Sequence, residues 1–307
     1  MPPIISAVVC TFNRKDMLVD AVDSLIRQDL PPSEFDVIVV DNNSTDGTAA
    51  TIESRYGRVP NLRLVHEPVQ GLAAARNAGV AAATSPFVAF TDDDAVVSPD
   101  WLRRLASRFE ELDPMTAIIG GGIQPIFESE RPAWLVDELM LPLSAGLPWK
   151  NGPRYLESDE WVCEVNSAYR VAPLVEHGGF PVSLGRIGEN LMSGENVVNK
   201  VLRHQGHLVY YDPHIVVQHR VPSSRLTRRW FRRRIFWEGA SRVLVRKYLL
   251  QRGIEVEPPR SLCLPCTPAD WLRLVDDDLE GEDLSESLYR VEDIGFLLAS
   301  QSLLGVR

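Results

Sequence analysis

Apolar runs and helical periodicity alternate through the first part of the chain. Residues 4–10, 35–40 and 87–90 are continuous apolar runs rich in β-branched and aromatic side chains, as in strands buried on both faces. Between them, apolar residues such as Leu18 and Val22 recur at helical spacing. Further strands are predicted at 62–65 and 117–123, and helices at 48–55 and 71–83. One more helix is predicted with Pro99 in its first turn. The alternation predicts βαβ units and a parallel sheet covered by helices on both faces.

The second part of the chain is less regular. Residues 125–160 are rich in proline and tryptophan and lack a clear period, which predicts a long loop or lid. The elements predicted beyond it are strands at 161–165, 208–211 and 215–218 and helices at 196–204, 225–250 and 283–303.

Polar side chains follow three of the predicted strands, at the point where each strand ends. Thr11–Arg14 follow the first strand, Asp41–Asp46 the second and Thr91–Asp94 the fourth. Because ligands of open α/β sheets bind beyond the carboxyl ends of the strands, we expect these side chains to line one crevice. The phosphate-binding patterns GxGxxG and GxxxxGK[ST] do not follow the first strand, which argues against a dinucleotide dehydrogenase or a P-loop NTPase. A diphosphate bound here would need a metal ion to neutralise it.

Asp92, Asp93 and Asp94 are three adjacent acids at the end of a predicted strand. Their carboxylates repel one another, so burying them without a cation is costly. Mg²⁺ and Mn²⁺ accept carboxylate and phosphate oxygens together. We therefore expect one of Asp92 and Asp94 to contact a nucleotide ribose and the other to bind a metal. The alternative is a solvated acidic turn before a helix.

Three further polar residues are candidates for the chemistry. Arg76, in the small-residue helix, would reach a phosphate or pair with the acids, or else face solvent. Glu195 opens a helix whose dipole keeps its carboxylate ionised, as a general base requires, although acids at helix starts are also common without a function. His219 ends the last predicted strand; a neutral imidazole suits Mn²⁺, and the alternative is a structural histidine.

Charge is unevenly distributed in this acidic chain, whose formal net charge is −10. The total argues against a nucleic-acid-binding protein. Residues 220–252 carry eleven Arg and Lys against one acid, and residues 255–307 carry twelve acids against four Arg. The basic segment predicts either a patch that contacts anionic lipid or a polyanionic acceptor, or a packed helix whose arginines pair with the acidic tail. The sequence has neither a leader-like start nor an apolar run of about 18 residues, which predicts a cytoplasmic protein, peripheral at the inner membrane face if the basic segment binds lipid.

Several blocks of sequence, in this order and spacing, resemble the family 2 glycosyltransferases of the GT-A fold. The blocks are Val8–Arg14, Val39–Asp46, Gly71–Gly79, Asp92–Asp94, Gly178-Gly-Phe, Gly194-Glu195 and the strand that ends in His219. The resemblance covers roughly residues 4–245 and implies an α/β fold with a Rossmann-like, mostly parallel central sheet flanked by helices and a C-terminal helical extension. It implies a nucleotide-sugar-binding half at 1–125, an acceptor-side half at 126–224 and the helical extension at 225–307.

The resemblance also implies roles for individual residues. It places Asp94 and His219 on a Mn²⁺ or Mg²⁺ ion and makes Glu195 the catalytic base. The donor-binding residues that it implies are Thr11, Phe12, Asn13, Arg14, Asp41, Asn43, Arg76, Asp92 and Asp93. The acceptor-binding residues that it implies are Trp161, Asn166 and Glu195.

The implied activity is metal-dependent transfer, with inversion, of a sugar from a nucleoside-diphosphate sugar to a hydroxyl of a glycan, lipid-linked or small-molecule acceptor. The family commonly has a second acid, often the catalytic base, where this chain has Asn196, which cannot accept a proton. Glu195 or Glu189 then serves as the base, or activity is lost and the chain is a non-catalytic nucleotide-binding module. A sugar nucleotidyltransferase is a remote alternative. Two further partners remain to be tested: a second copy of this chain, in a homodimer, and a membrane surface contacted through residues 225–250.

Overall fold

The computed structural model describes residues 2–145, 152–186, 194, 196–256, 258, 261–265 and 267–301. These residues form two compact units. The first unit consists of Met1–Ile126, Ser144–Val182 and Glu195–Arg220. The second unit consists of Phe127–Leu143, Ser183–Gly194 and Val221–Arg307. The three functional regions expected from the resemblance stay a prediction.

A mixed sheet with helices along it contains nine strands among the described residues. The strands are β1 (Ile5–Thr11), β2 (Phe35–Asp41), β3 (Leu62–His66), β4 (Phe87–Asp92), β5 (Ala95–Val97), β6 (Thr116–Phe127), β7 (Arg154–Tyr155), β8 (Ser167–Arg170) and β9 (Leu208–Val221). The helices are α1 (Lys15–Ile26), α2 (Thr48–Tyr56), α3 (Leu72–Ala82), α4 (Trp101–Glu111), α5 (Val171–Glu176), α6 (Asn196–His204), α7 (Arg228–Leu250), α8 (Pro268–Arg273) and α9 (Gly281–Ser300).

The sheet order is β3-β2-β1-β4-β8-β6-β9-β5, with β7 paired to β9. Strands β3, β2, β1 and β4 are parallel neighbours, as the alternation of strands and helices predicts. Strand β8 is antiparallel to both β4 and β6, so β6 runs in the same direction as the parallel strands. The result is the mostly parallel α/β sheet expected from the sequence.

The core of the first unit lies where the parallel strands pack against their helices. Strands β1, β2 and β4 are buried along almost their whole length, which explains their continuous apolar runs. Gly79 of α3 allows the helix to approach the sheet closely, because a Cβ at that position would overlap the side chain of Val8. Trp101 of α4 is fully buried and donates its indole N–H to Asn166.

Several predicted elements differ from the structure. The apolar run at 161–165 is not a strand: it leads into a short 3₁₀ helix, Glu164–Asn166, and strand β8 begins only at Ser167. The run is apolar because it is buried against the core, not because it pairs with neighbouring strands. The two short strands predicted at 208–211 and 215–218 are one continuous strand, β9. Pro99 precedes α4 and does not lie in its first turn. The described residues of the stretch 125–160 include the end of β6, two 3₁₀ helices and strand β7.

The second unit is built on the pairing of α7 with α9. Gly239 and Gly295 lie at their crossing, where an added Cβ would overlap the carbonyl oxygens of Glu292 and Phe236 respectively. Arginines of α7 pair with acids further along the unit: Arg232 with Asp277, and Arg242 with Glu292.

These pairs support the packed alternative for the basic segment, and its contact with a membrane stays a prediction. Within the described residues, none of the helices combines the length and the apolar character that a membrane span requires.

Candidate active site

The carboxyl ends of β1 and β4 bring a set of polar side chains together. Because β1 and β4 are paired, with Cys10 opposite Asp92, Thr11 lies beside the acids that follow β4. The Thr11 hydroxyl donates a hydrogen bond to Asp93 Oδ2 over 2.8 Å. The guanidinium of Arg14 donates to Asp93 Oδ1 and to Asp94 Oδ2, both at 2.9 Å. The polar residues that follow these two strands therefore lie close together. We call the three aspartates among them, Asp92, Asp93 and Asp94, the acid cluster.

His219 joins the acid cluster from β9. It lies opposite Ala95 of β5, and its Nε2 is 3.1 Å from Asp94 Oδ1. Asp92, Asp94 and His219 each offer a ligand atom, and these atoms all lie within 4.8 Å of one another. Asp94 and His219 are buried, and among the described residues Nδ1 of His219 has no hydrogen-bond partner. The two carboxylates suit Mg²⁺ or Mn²⁺, and the additional imidazole favours Mn²⁺ over Mg²⁺, which binds mainly oxygen ligands.

The protonation of the acid cluster follows from burial and from its neighbours. The pKa of Asp93 is raised to about 6: burial raises it most, the charge of Arg14 lowers it, the adjacent charge of Asp94 raises it, and the hydrogen bonds from Thr11 and Arg14 lower it. Burial by itself lowers the pKa of Arg14, but the charges of Asp93 and Asp94 outweigh that effect and raise the pKa above its ordinary value. Arg14 thus stays charged and partly neutralises the cluster at neutral pH.

Arg76 reaches the acid cluster from α3 and is buried, so the solvent-facing alternative for it is wrong. Its guanidinium forms an ion pair with the buried Glu164 and lies 3.6 Å from Asp92 Oδ1. Glu164 was not predicted as a site residue. An acid within the otherwise apolar run of residues 161–165 was the available signal, because buried acids occur almost only with a partner.

Two strand-end loops hold each other in place. Asn13 adopts a positive φ of 54°; its backbone N–H donates to Ser44 Oγ and its side-chain Oδ1 accepts from the Thr45 N–H at 2.7 Å. Asp41 is buried and its Oδ1 accepts from the Ser44 N–H. Both side chains therefore shape the loops around the crevice. Phe12 and Asn43 of the same loops are exposed.

Asn42 belongs to the polar segment predicted to line the crevice, but no individual role was predicted for it. Its side-chain amide donates to the carbonyl oxygens of Glu67 and Val69 and accepts from the Gly71 N–H at 2.8 Å. These bonds fix the loop that leads into α3, and α3 carries Arg76. The signal was its place directly after β2, where it stands between two predicted donor-binding residues.

The acceptor-side predictions have different outcomes. Asn166 is fully buried: its amide donates to the carbonyl oxygens of Gly122 and Ile215, and its Oδ1 accepts from Trp101. These three framework partners show that Asn166 has a structural role, and its predicted acceptor contact stays a prediction. Trp161 is half-buried, and Asn196 is the first residue of α6. Glu195 and Glu189, the two candidate bases, lie outside the described residues.

The architecture resembles solved glycosyltransferases of the GT-A fold. It matches a mannosyltransferase from Pyrobaculum calidifontis in complex with GDP-Man and Mn²⁺, with a TM-score of 0.62 and 20% identity over 99% of this chain and 75% of that one. It also matches residues 1–349 of S. aureus TarS in complex with UDP-GlcNAc, with a TM-score of 0.56 and 16% identity over 99% of this chain and 92% of that one. At such identities the likeness shows the fold, which is the GT-A fold expected from the sequence.

The sequence narrows this class to one family. Residues 6–170, more than half of the chain, match Glycosyl transferase family 2. The chain is 26% identical over 243 residues to a glucosyl-dolichyl phosphate glucuronosyltransferase from Haloferax volcanii, covering 78% of this chain and 76% of that protein. It is 33% identical over 215 residues to a pre-mycofactocin glycosyltransferase from Mycobacterium tuberculosis, covering 67% of this chain and 41% of that protein. The protein belongs to glycosyl transferase family 2 and is a glycosyltransferase.

Proposed function

We propose that this glycosyltransferase moves a sugar from a nucleoside-diphosphate sugar to an acceptor hydroxyl, with inversion and with a bound divalent cation. The observation that carries the proposal is the convergence of Asp92, Asp94 and His219 at the carboxyl end of the sheet. Within the described residues, Arg14 pairs with both Asp93 and Asp94, and Arg76 pairs with both Asp92 and Glu164. A divalent cation would add positive charge to this carboxylate-rich site.

Asp92, Asp94 and His219 would hold the cation, which supplies charge stabilisation for the departing nucleoside diphosphate. Thr11 and Arg14 hold Asp93, and Arg14 also holds Asp94, so the acids are oriented before the donor binds. The exposed ring of Phe12, 41% accessible, is available to stack on the nucleotide base. Arg76 would lie near the diphosphate, and Asp92 would also contact the ribose.

The acceptor side of the proposal rests on the family and not on described geometry. Glu195 would remove the proton of the acceptor hydroxyl as the hydroxyl attacks the anomeric carbon from the face opposite the leaving group. Membership of the family disfavours nucleotidyl transfer and a purely binding module. We propose a glycan, lipid-linked or small-molecule acceptor; the Haloferax relative is named for glucosyl-dolichyl phosphate.

A donor screen tests the proposal directly. UDP-, GDP- and dTDP-sugars are incubated with the full chain in Mn²⁺, in Mg²⁺ and in EDTA, and release of nucleoside diphosphate is measured. We expect turnover of at least one donor that requires the cation, with the β-configured product from an α-configured donor when an acceptor is supplied. Equal turnover in EDTA would refute the metal dependence, and retention of the anomeric configuration would refute the inverting mechanism.

A further inference from the structure

Arg76 is held from three sides at the edge of the acid cluster. Its NH1 group pairs with Glu164, its NH2 group lies 3.6 Å from Asp92 Oδ1, and its guanidinium carbon lies 5.7 Å from the centre of the Phe180 ring. Phe180 is itself fixed, because the Asn77 amide accepts from its N–H and donates to its carbonyl oxygen, both at 2.8 Å. The guanidinium therefore has little freedom to leave Asp92.

Glu164 is a buried acid that pairs with Arg76, whereas Asp93 and Asp94 pair with Arg14. Its side chain is only 2% accessible, and that of Arg76 is 7% accessible. A buried guanidinium with one acid partner would draw that partner into a full ion pair, because an unpaired buried charge is strongly disfavoured. Asp92 is the other carboxylate within 4 Å of Arg76 among the described residues. Glu164 thus neutralises the positive charge of Arg76, which Asp92 would otherwise have to neutralise.

From these contacts we infer that Glu164 is a positioning residue that compensates the charge of Arg76 and so keeps Asp92 available as a cation ligand. This inference rests on the proposed function, since it concerns the cation that Asp92, Asp94 and His219 would share. Glu164 lies on the 3₁₀ helix before β8, and among the described residues Arg76 is what connects it to the cluster. Its role is electrostatic and works through the arginine, at the short distances where a charge in a poorly solvated site has a large effect.

Direct measurement of Mn²⁺ binding tests the inference without reference to catalysis. Free Mn²⁺ is titrated with purified full chain and quantified by its electron paramagnetic resonance signal. We expect Glu164→Gln, which keeps the shape and removes the charge, to weaken binding about tenfold or more. The double variant Glu164→Gln with Arg76→Gln removes the charge and the charge it compensates, so we expect its affinity to return to within about threefold of the natural chain.

Asp212→Asn is the matched control. Asp212 is another buried acid with an arginine partner, Arg108, but it lies seven residues from His219 along β9, about 23 Å away at ordinary strand rise. We expect this variant to bind Mn²⁺ as the natural chain does. Circular dichroism and the melting temperature show whether each variant is folded, and the double variant carries the decision if Glu164→Gln unfolds.

The outcomes separate this inference from the proposed function. A natural chain that binds no Mn²⁺ overturns the proposed cation site, and the inference falls with it. A natural chain that binds Mn²⁺ while Glu164→Gln binds equally well overturns the inference alone. A double variant that binds as weakly as Glu164→Gln, or more weakly, also overturns it, because an effect carried by the uncompensated charge of Arg76 would disappear once that charge is removed.

Discussion

The acid cluster of the first unit and the arginine-rich helix of the second unit are both dense in charge, but they differ in balance and burial. In the acid cluster, Asp93 and Asp94 are buried and share Arg14, and Asp92 shares Arg76 with the buried Glu164 nearby. In α7, pairs such as Arg232 with Asp277 match one charge with one, and Asp277 is 75% accessible. Exposed pairs contribute little to stability, whereas buried carboxylates that share one arginine are costly to keep charged and favour a bound cation. Charge density alone therefore does not indicate a site; buried carboxylates that share a partner do.

Asp94→Asn should have the largest effect, because it removes a proposed cation ligand and a partner of both Arg14 and His219. We expect turnover of the donor to fall about 100-fold or more, from the loss of the charge that holds the metal. Initial rates at saturating Mn²⁺ provide the measurement. A rate within threefold of the natural chain would show that the charge of Asp94 is not needed for catalysis.

Gly295→Ala tests whether packing, more than charge, holds the second region together. The added methyl group would overlap the carbonyl oxygen of Phe236 at the crossing of α7 and α9. We expect a loss of about 2 kcal/mol in the free energy of unfolding, as for other overpacked sites. Urea denaturation measures it. Gly152→Ala is the control, since a Cβ there meets nothing within 4 Å, and a similar loss in both variants would contradict the packing argument.

Asn13→Gly tests the hydrogen bond between the strand-end loops of the first region. Glycine tolerates the positive φ of 54° but removes the side-chain oxygen that accepts from the Thr45 N–H. Asn43→Gly is the matched control, because Asn43 is also exposed and also has a positive φ, of 67°. We expect Asn13→Gly to be about 1 kcal/mol less stable than Asn43→Gly by thermal unfolding. Equal stability would mean that the loops are held by other contacts.

Asp277→Asn should have the smallest effect and completes the comparison. It removes the acid partner of Arg232 in an exposed ion pair. We expect the free energy of unfolding to change by less than about 0.5 kcal/mol, and donor turnover to stay within twofold, because water replaces the partner. If this variant lost as much activity as Asp94→Asn, the distinction between the two regions would be wrong.

The sequence allowed prediction of the parts of the site that depend on strand order. Continuous apolar runs and helical spacing identify β1, β2 and β4, and their parallel arrangement puts Thr11, Arg14 and Asp93 at one edge. His219 lies 125 residues from Asp94, and only the resemblance to the family suggested that they meet. Glu164 and Asn166 could not be assigned in this way, because hydrogen bonds to distant elements decide whether a buried polar side chain is structural.

The sequence by itself determined the alternation of strands and helices, the acids at the end of β4 and the family of the protein, because these depend on local periodicity and on short motifs. Only the tertiary structure decided which charges are balanced. It paired Arg76 with Glu164 across 88 residues and occupied Asn166 with three framework partners. The physical reason is that the energy of a buried charge depends on its neighbours in space, and the fold brings those neighbours from distant parts of the chain.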